Sequence, residues 1–570
     1  MKCFLFVGGL LLLGASGPQR AVAQAPAWQS ARAVAAATAA LGNNYSDVAA
    51  TAVDAAGNVY VTGAFKNNVV LGNTPLSSVG GDDVYVAKFS PASNQFVWAQ
   101  QAGGPGADRA NALVVSGGSV YVAGNFGGTT ATFGATVLSN VTTNGVPDMF
   151  VAKLTDAGAT GSFAWAQRGG GVGSDYAYAL AVSGTSVYVA GVFTSPTAVF
   201  GAVALTNAGV ADVYVAKLTD AGATGSFTWA QRAGGPSDDQ ATALAVSGTS
   251  VYVAGYFSGA NIVFGTTTLL NAGAGVADVY VAKLTDAGAT GSFTWAQRAG
   301  GAANDVASAL AVNGPSVYVA GRFDSPTAAF GITTLANTTG GANDVFVAKL
   351  LDAGTTASYA WAQRAGGPGN DVPYALAVSG SSVLVAGRFD GATAGFGPNT
   401  LLNANTGTND VFVARLLDAG ATSTYAWAQR AGGAGQDYAL ALALSGANVY
   451  VAGYFAGASA VFGTTTLANL SPGLNLGFLA ALADPTLTAT AAGRAVAPTS
   501  LFPNPAHGAV ALRLPAGTAP APLTLTDALG RAVRRNPAPA GAEATLDLGG
   551  LPAGLYLLRG AGPARRLAVE

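Results

Sequence analysis

Cysteine is almost missing from this 570-residue chain: Cys3 stands alone, ahead of an apolar stretch at the N-terminus. Disulfides and thiolate chemistry are therefore excluded from everything that follows it. Histidine is confined to His507 and glutamate to Glu543 and Glu570. Residues 24–485 thus hold no His, Cys or Glu, which rules out a Ser-His-Asp or Cys-His catalytic arrangement there, and the usual His/Cys zinc site. Charge is also scarce, at 9 % of residues, where an ordinary globular domain has about 25 %. Apolar residues reach 50 %, and disorder needs the opposite balance. Long helices and coiled coils need abundant Glu, Lys and Leu, so the near-absence of Glu argues against them. What abounds is Gly (79 residues), Pro (25) and Asp, the chemistry of turns.

The first 23 residues read as a secretory signal peptide. Lys2 gives the positive start, Phe4 to Gly14 an apolar stretch of eleven, and Ala21-Val22-Ala23 a small-residue cleavage site. Eleven apolar residues fall short of the roughly twenty that cross a hydrocarbon layer. A lipoprotein cysteine would follow the stretch, whereas Cys3 precedes it. No later run offers eighteen uninterrupted apolar residues, so no transmembrane anchor is expected. Residues 24–485 carry a net charge of −8 and residues 486–570 a net +4. A large acidic region without a dense basic patch is a poor nucleic-acid binder, because that affinity comes mainly from neutralising phosphates.

Self-similarity fixes the architecture. The seven tryptophans, Trp28, Trp98, Trp165, Trp229, Trp295, Trp361 and Trp427, are spaced 64 to 70 residues apart in one repeated slot. A second slot, V-Y-V-A-G-x-F, recurs at Val59, Val120, Val187, Val251, Val317, Val383 and Val449. A third, D-V-[YF]-V-A-[KR], begins at Asp83, Asp148, Asp212, Asp278, Asp344 and Asp410, and has decayed at Gly477–Ala480. A fourth begins at Asp47, Asp108, Asp175, Asp239, Asp305, Asp371 and Asp437. Each unit resolves into four strand-favouring runs, a to d, such as Ala241–Val246, Val251–Phe257, Val279–Leu284 and Ser292–Gln297. Four antiparallel strands repeated radially describe a β-propeller blade. About twenty residues join b to c, with an F-G-x-x-x-L segment that offers an extra strand (Phe264-Gly265 to Leu269).

The ends strengthen this reading. The chain begins at a d slot, with Trp28, and the repeats stop after a c slot near Leu482. Pairing the Trp28 strand onto Phe478–Leu482 completes a seventh blade, closes the ring and covers an open edge. An open β-solenoid leaves unexplained why the two end pieces sum to one unit. The expected fold is all-β, a seven-bladed β-propeller over residues 24–484 followed by a small β-sandwich. The stretch Val53–Phe65, V-D-A-A-G-N-V-Y-V-T-G-A-F, resembles the signature of the SBBP family of bacterial β-propeller repeats. Later copies replace the Asp…Gly-Asn turn with Ser-Gly, as at Val115–Gly118. The resemblance implies a propeller and carries no activity.

Residues 485–498 form a linker rich in Ala, Thr and Pro, and residues 499–570 read as short strands between Gly/Pro turns. Three motifs follow in order: Phe502-Pro503-Asn504-Pro505, Asp527-Ala528-Leu529-Gly530-Arg531, and the run from Leu548 through Gly554 to Tyr556. Together they resemble the type A C-terminal sorting domain of the type IX secretion system. That resemblance implies the secretion machinery as partner, export across the outer membrane, usual removal of the domain, and release or attachment at the cell surface.

Few residues remain for chemistry. The G-G-P-G runs, such as Gly103–Gly106, lack the G-K-[ST] ending of a phosphate loop and read as inter-blade turns. The tryptophans read as packing between blades rather than as sugar platforms. The Asp rings could hold calcium, but identical repetition favours a structural use, accepting backbone N–H bonds or pairing with the Arg that ends several d strands. No metal or other cofactor is expected. The asymmetric candidates are Arg322 with Asp324 and Arg388 with Asp390, in the R-F-D ends of two neighbouring b strands, where an exposed salt bridge is the simplest use. The functional expectation is a secreted or cell-surface, non-enzymatic monomer presenting its variable b–c inserts to a glycan or protein. The alternative is a carbohydrate hydrolase using paired Asp and Arg on the propeller face.

Overall fold

The computed structural model of the protein describes residues 25–37, 44–143, 145–273, 275–337, 342–487, 500–502, 506, 508–513, 522–527, 531–537, 543–560 and 562–569. The signal peptide with Cys3, linker residues 488–498, Pro503, Asn504, Pro505, His507 and Gly530 lie outside the described residues. The described residues contain no helix and pair into antiparallel sheets. The chain divides into two compact units, residues 1–488 and 489–570.

In the fourth repeat the strands are a (Asp239–Ser247), b (Ser250–Phe257), c (Asp278–Asp286) and d (Gly291–Gly301), a simple antiparallel meander. Each reaches one to four residues beyond the hydrophobic run read from sequence, because the ladder continues into the turn residues at both ends. The b strand is buried on both faces, with Val251, Val253 and Ala254 at 0 % exposure. That is why it reads as a continuous apolar run instead of an alternation. The cores lie between neighbouring repeats: Val213, Val215 and Trp229 of the third pack in one cluster with Val251, Val253 and Phe257 of the fourth.

The b–c insert is not the freely presented loop expected from the sequence. Asn261–Phe264 and Thr267–Leu270 form a hairpin whose first strand pairs with the end of the preceding repeat's d strand, Ala233↔Phe264 and Gly234↔Val263. Its phenylalanine explains the attachment. Phe264 and its counterparts Phe133, Phe200, Phe330, Phe396 and Phe462 are at most 1 % exposed. Burial of so large a ring holds the hairpin down, and only the tail after it is left for display.

The first strand, Trp28–Val34, pairs antiparallel with Leu476–Ala483, from Trp28↔Leu482 to Val34↔Gly477. The a strands neighbour one another in chain order, and that of the seventh repeat (Asp437–Ser445) also contacts Ala50–Val53 of the first. A cavity of about 240 Å³ lies between them, lined from all seven a strands.

The second unit has two sheets. One joins Ser500–Phe502, Ala509–Arg513 and Glu543–Asp547; the other joins Ala532–Asn536, Leu523–Thr526, Gly554–Gly560 and Gly562–Val569. Val510, Leu512, Leu525, Leu546, Leu558 and Leu567 form a shared core, each at most 3 % exposed. Gly554 opens a strand, and the Tyr556 hydroxyl donates to the Pro552 carbonyl at 2.7 Å.

Candidate ligand-binding site at the axial cavity

Two devices at the repeat junctions account for the repeated Trp and Asp. The first lies at the D-A-G turn that ends each c strand. Asp286 of the fourth repeat accepts from three side chains of the third: Trp229 Nε1 at 3.0 Å, Lys217 Nζ at 2.6 Å and Tyr188 Oη at 2.6 Å. The same triple converges on Asp156, Asp220, Asp352 and Asp418. At Asp484 the partners are Trp427 and Arg415. Burial pushes these carboxyls up, but the converging donors outweigh it, so Asp156, Asp220, Asp286, Asp352, Asp418 and Asp484 sit below the usual carboxylate range. The six tryptophans from Trp98 to Trp427 are 1 to 5 % exposed and reach an Asp of the next repeat, and Trp28, at 8 %, packs on Phe462, so none offers a ring to a sugar.

The seventh and first repeats meet without this device. Trp28 does not share the slot of the other six tryptophans: Ala481, in the lysine slot, faces Ser30, while Trp28 faces Leu482 as Phe293 faces Leu284, and its Nε1 donates to the Arg430 carbonyl at 2.9 Å. Arg32 covers the Phe89 ring at 4.0 Å and donates to the Asn94 carbonyl at 3.0 Å.

The second device is a buried carboxyl pair. The Asp that starts a c strand meets the Asp that starts the next a strand, beside a glycine. Gly170 has φ +135°, and the point its Cβ would occupy is 2.3 Å from Asp148 Oδ1 and 2.7 Å from Asp175 Oδ2, so only glycine fits. The same pairs stand at Gly103, Gly300, Gly366 and Gly432. Asp148 Oδ2 takes Arg168 at 2.6 Å and Asp175 Oδ2 takes the Gly171 N–H at 2.7 Å, while Asp148 Oδ1 is buried without a donor. Burial, with the neighbouring carboxylate adding to it, raises Asp175 to about 6, Asp108, Asp239, Asp305 and Asp437 to about 7, and Asp371 to about 8. Both Asp rings therefore serve the frame, except that in the first repeat Ser46, not Asp47, faces the strand-ending Phe65, and Asp47 stands one residue on, paired with Arg109. Among the described residues, no group of three or more His, Cys, Asp or Glu is placed to hold a metal ion.

Against this uniform frame, side chains vary at two places on the a strand and in the insert tails. Three residues after the a-strand Asp stand Asn111, Tyr178, Thr242, Ser308, Tyr374 and Leu440. The residue directly after that Asp varies too, facing the x of V-Y-V-A-G-x-F across the strands. The pairs are Arg109↔Asn125, Tyr176↔Val192, Gln240↔Tyr256, Val306↔Arg322, Val372↔Arg388 and Tyr438↔Tyr454. The preceding glycine sets this register: a Cβ on Gly255 would stand 1.9 Å from the Gln240 carbonyl oxygen. Two contacts tie the pairs to the axial cavity, whose lining includes Asn111 and Tyr374. Asn111 Nδ2 donates to Asn125 Oδ1 at 3.3 Å, and Arg388 Nε donates to Tyr374 Oη at 2.9 Å.

The sixth and seventh repeats make the most elaborate part of this rim. The Arg388 guanidinium lies 4.9 Å from the Tyr438 ring centroid, and Tyr438 stacks on Tyr454 at 4.8 Å and 18°. Arg388 also bonds Asn409, which bonds Gln436. In the fifth repeat Arg322 donates to Asn343 at 3.3 Å, and Asn343 donates to Asn370 at 2.9 Å. The exposed Arg–Asp salt bridge suggested by the R-F-D ends does not form. Phe323 ends its strand, and the Asp324 N–H turns onto the Asn304 carbonyl at 3.0 Å. Asp390 accepts instead from the Asn370 N–H at 2.6 Å and its side chain at 3.2 Å. Arg322 and Arg388 thus occupy the rim, with Asp324 and Asp390 one turn behind them. The rim tyrosines Tyr374, Tyr438 and Tyr454 were not singled out by the motifs, although all three sit at variable letters of the repeat.

Comparison with known proteins bears on the second unit. No curated protein matches the sequence at a significant level. Solved structures that resemble the chain include phage phi92 endosialidase, at 9 % identity over 80 % of this chain and 69 % of that one, TM-score 0.35. Another is a protein of unknown function from Dyadobacter fermentans DSM 18053, at 11 % identity over 80 % of this chain and 99 % of that one, TM-score 0.32. Neither likeness is close enough to bear on function. No helix among the described residues is long and apolar enough to cross a membrane. Residues 500–564 match the family described as "Secretion system C-terminal sorting domain", so the chain carries a type IX sorting domain, engages that secretion machinery and is destined for the cell surface or the exterior.

Proposed function

We propose that residues 24–484 form a seven-bladed β-propeller of the SBBP repeat type, stitched shut by Trp28–Val34. It works outside the cell as a monomeric, non-enzymatic and cofactor-free scaffold that binds a glycan or a protein at the rim of its axial cavity. The neighbouring of first and last a strands, and the pairing of first and last strands, support the ring. The observation that carries the function is the variety of side chains at that cross-strand pair and at the a-strand residue two further on, which lines the cavity at Asn111, Ser308, Tyr374 and Leu440, inside a frame whose Trp, Lys, Asp and Gly recur. A frame needs identity between repeats, whereas recognition of one ligand needs asymmetry.

The test screens the full chain against glycan and protein panels and, in parallel, against glycosidase substrates. Binding without turnover is expected, weakened about tenfold or more, that is by about 1.4 kcal/mol, in Tyr438→Ala. Asn405→Ala, on an exposed insert tail, is expected to leave it unchanged. Turnover abolished by Asp324→Asn or Asp390→Asn would make the protein a hydrolase instead.

A further inference from the structure

We propose that the rim of the fifth to seventh repeats takes an anionic saccharide, its acidic group held by Arg322 and Arg388 and its sugar face laid on the tyrosines beside them. The inference rests on the rim being the binding site and adds the chemistry of the ligand.

It starts from unmatched charge. Arg109, Arg168, Arg232, Arg298, Arg364, Arg415 and Arg430 each pair with an aspartate within 3.3 Å. Arg322 and Arg388 pair with none among the described residues; their partners are the neutral Asn343, Asn409 and Tyr374. Both are half-buried, and they hold the same register position in adjacent repeats. Arg109, in that ring too, is neutralised by Asp47 and Asp82. A guanidinium carries five N–H donors in a planar fork suited to a bidentate oxyanion. Arg388 spends donors on Tyr374 and Asn409, and Arg322 on Asn343, so each keeps donors for a ligand.

The surroundings select the kind of anion. Tyr438 and Tyr454 stack beside Arg388, and aromatic faces of this sort suit the C–H face of a pyranose ring. Asn343, Asn370, Asn409 and Gln436 supply amides for hydroxyl groups. A densely charged polyanion is disfavoured, because Asp238, Asp324 and Asp390 border the rim and residues 24–485 carry a net −8. A carbohydrate with sparse carboxylate or sulfate groups fits both the paired arginines and the neutral, aromatic remainder.

The experiment titrates the full chain calorimetrically with four probes: a trisaccharide carrying one uronate, its methyl ester, a trisaccharide carrying one sulfate and the neutral trisaccharide. Binding of a charged probe is expected, at least about tenfold tighter than its neutral counterpart. Arg322→Ala and Arg388→Ala should each lose about ten- to a hundredfold, and Arg388→Lys nearly as much, since an ammonium lacks the fork. Circular-dichroism melts matching the parent confirm that these variants fold. Preference for the uronate trisaccharide assigns a carboxylate, and preference for the sulfated one a sulfate; either supports the proposal. Equal binding of charged and neutral probes that Tyr438→Ala abolishes but Arg388→Ala spares would overturn the anion while leaving the rim standing. Glycan binding untouched by all four variants would overturn both.

Discussion

Replacing Asp286 by Ala is expected to cost about 3–5 kcal/mol of stability, the range for stranding one partner of a buried ion pair. The Lys217 and Asp286 side chains are each 7 % exposed and 2.6 Å apart. Removing the carboxylate leaves an ammonium in a protein interior and strips the acceptor from Trp229 Nε1 and Tyr188 Oη as well. Most of the loss is this stranded charge rather than the attraction itself, so the pair Lys217→Met with Asp286→Leu should recover a large part of it. Urea unfolding of the parent, the single variant and the double variant separates these terms. A single-variant loss below about 1 kcal/mol would mean that the junction does not depend on this cluster.

Stability should peak near pH 4–5 and fall toward pH 8, the reverse of the usual plateau between about 5 and 8. The paired carboxyls bind their proton more tightly folded than unfolded, where the reference value is 3.8. What they contribute is therefore complete below about pH 4 and is lost as pH climbs through about 6 to 8. The junction carboxyls with lowered values behave oppositely: their contribution is complete above about pH 4 and lost below it. One pKa unit corresponds to about 1.4 kcal/mol, so even a fraction of a unit per junction, summed around the repeats, amounts to several kcal/mol. A melting temperature lower at pH 8 than at pH 5 by at least about 5 °C is expected. Asp305→Asn, close in shape to the protonated acid, should flatten part of the slope. A melting temperature level or rising over this interval would contradict the raised carboxyls.

The repeat was legible because its strand residues recur in fixed slots with β-branched and aromatic side chains, which specify pleated surface locally. The junction carboxylate was not. In isolation Asp286-Ala287-Gly288 is turn chemistry, and the Gly288 N–H does bond Asp286 at 2.9 Å. Its principal partner, Trp229, lies 57 residues away on the preceding repeat, a separation that carries no local signal. The F-G-x-x-x-L segment offered an extra strand, but not its partner; burial of Phe264 against the preceding repeat decides that the hairpin pairs there. In the second unit, strands Ala532–Asn536 and Gly562–Val569 went unread because their arginines interrupt the apolar pattern. The rim was half legible. Arg322 and Arg388 drew attention by their charge, but Tyr438 and Tyr454 matter through facing each other across a pair of strands, which only the register reveals.

Native-state hydrogen exchange at Trp28–Val34 and Leu476–Ala483 bears most directly on the ring from which every rim position follows. Because this junction lacks the buried Lys–Asp pair, its amides should be protected by orders of magnitude over free peptide yet open before those of Asp212–Asp220 and Asp278–Asp286. Exchange of Trp28–Val34 at free-peptide rates, with Leu476–Ala483 unprotected along the facing edge, would show the two ends unjoined and contradict the closed ring.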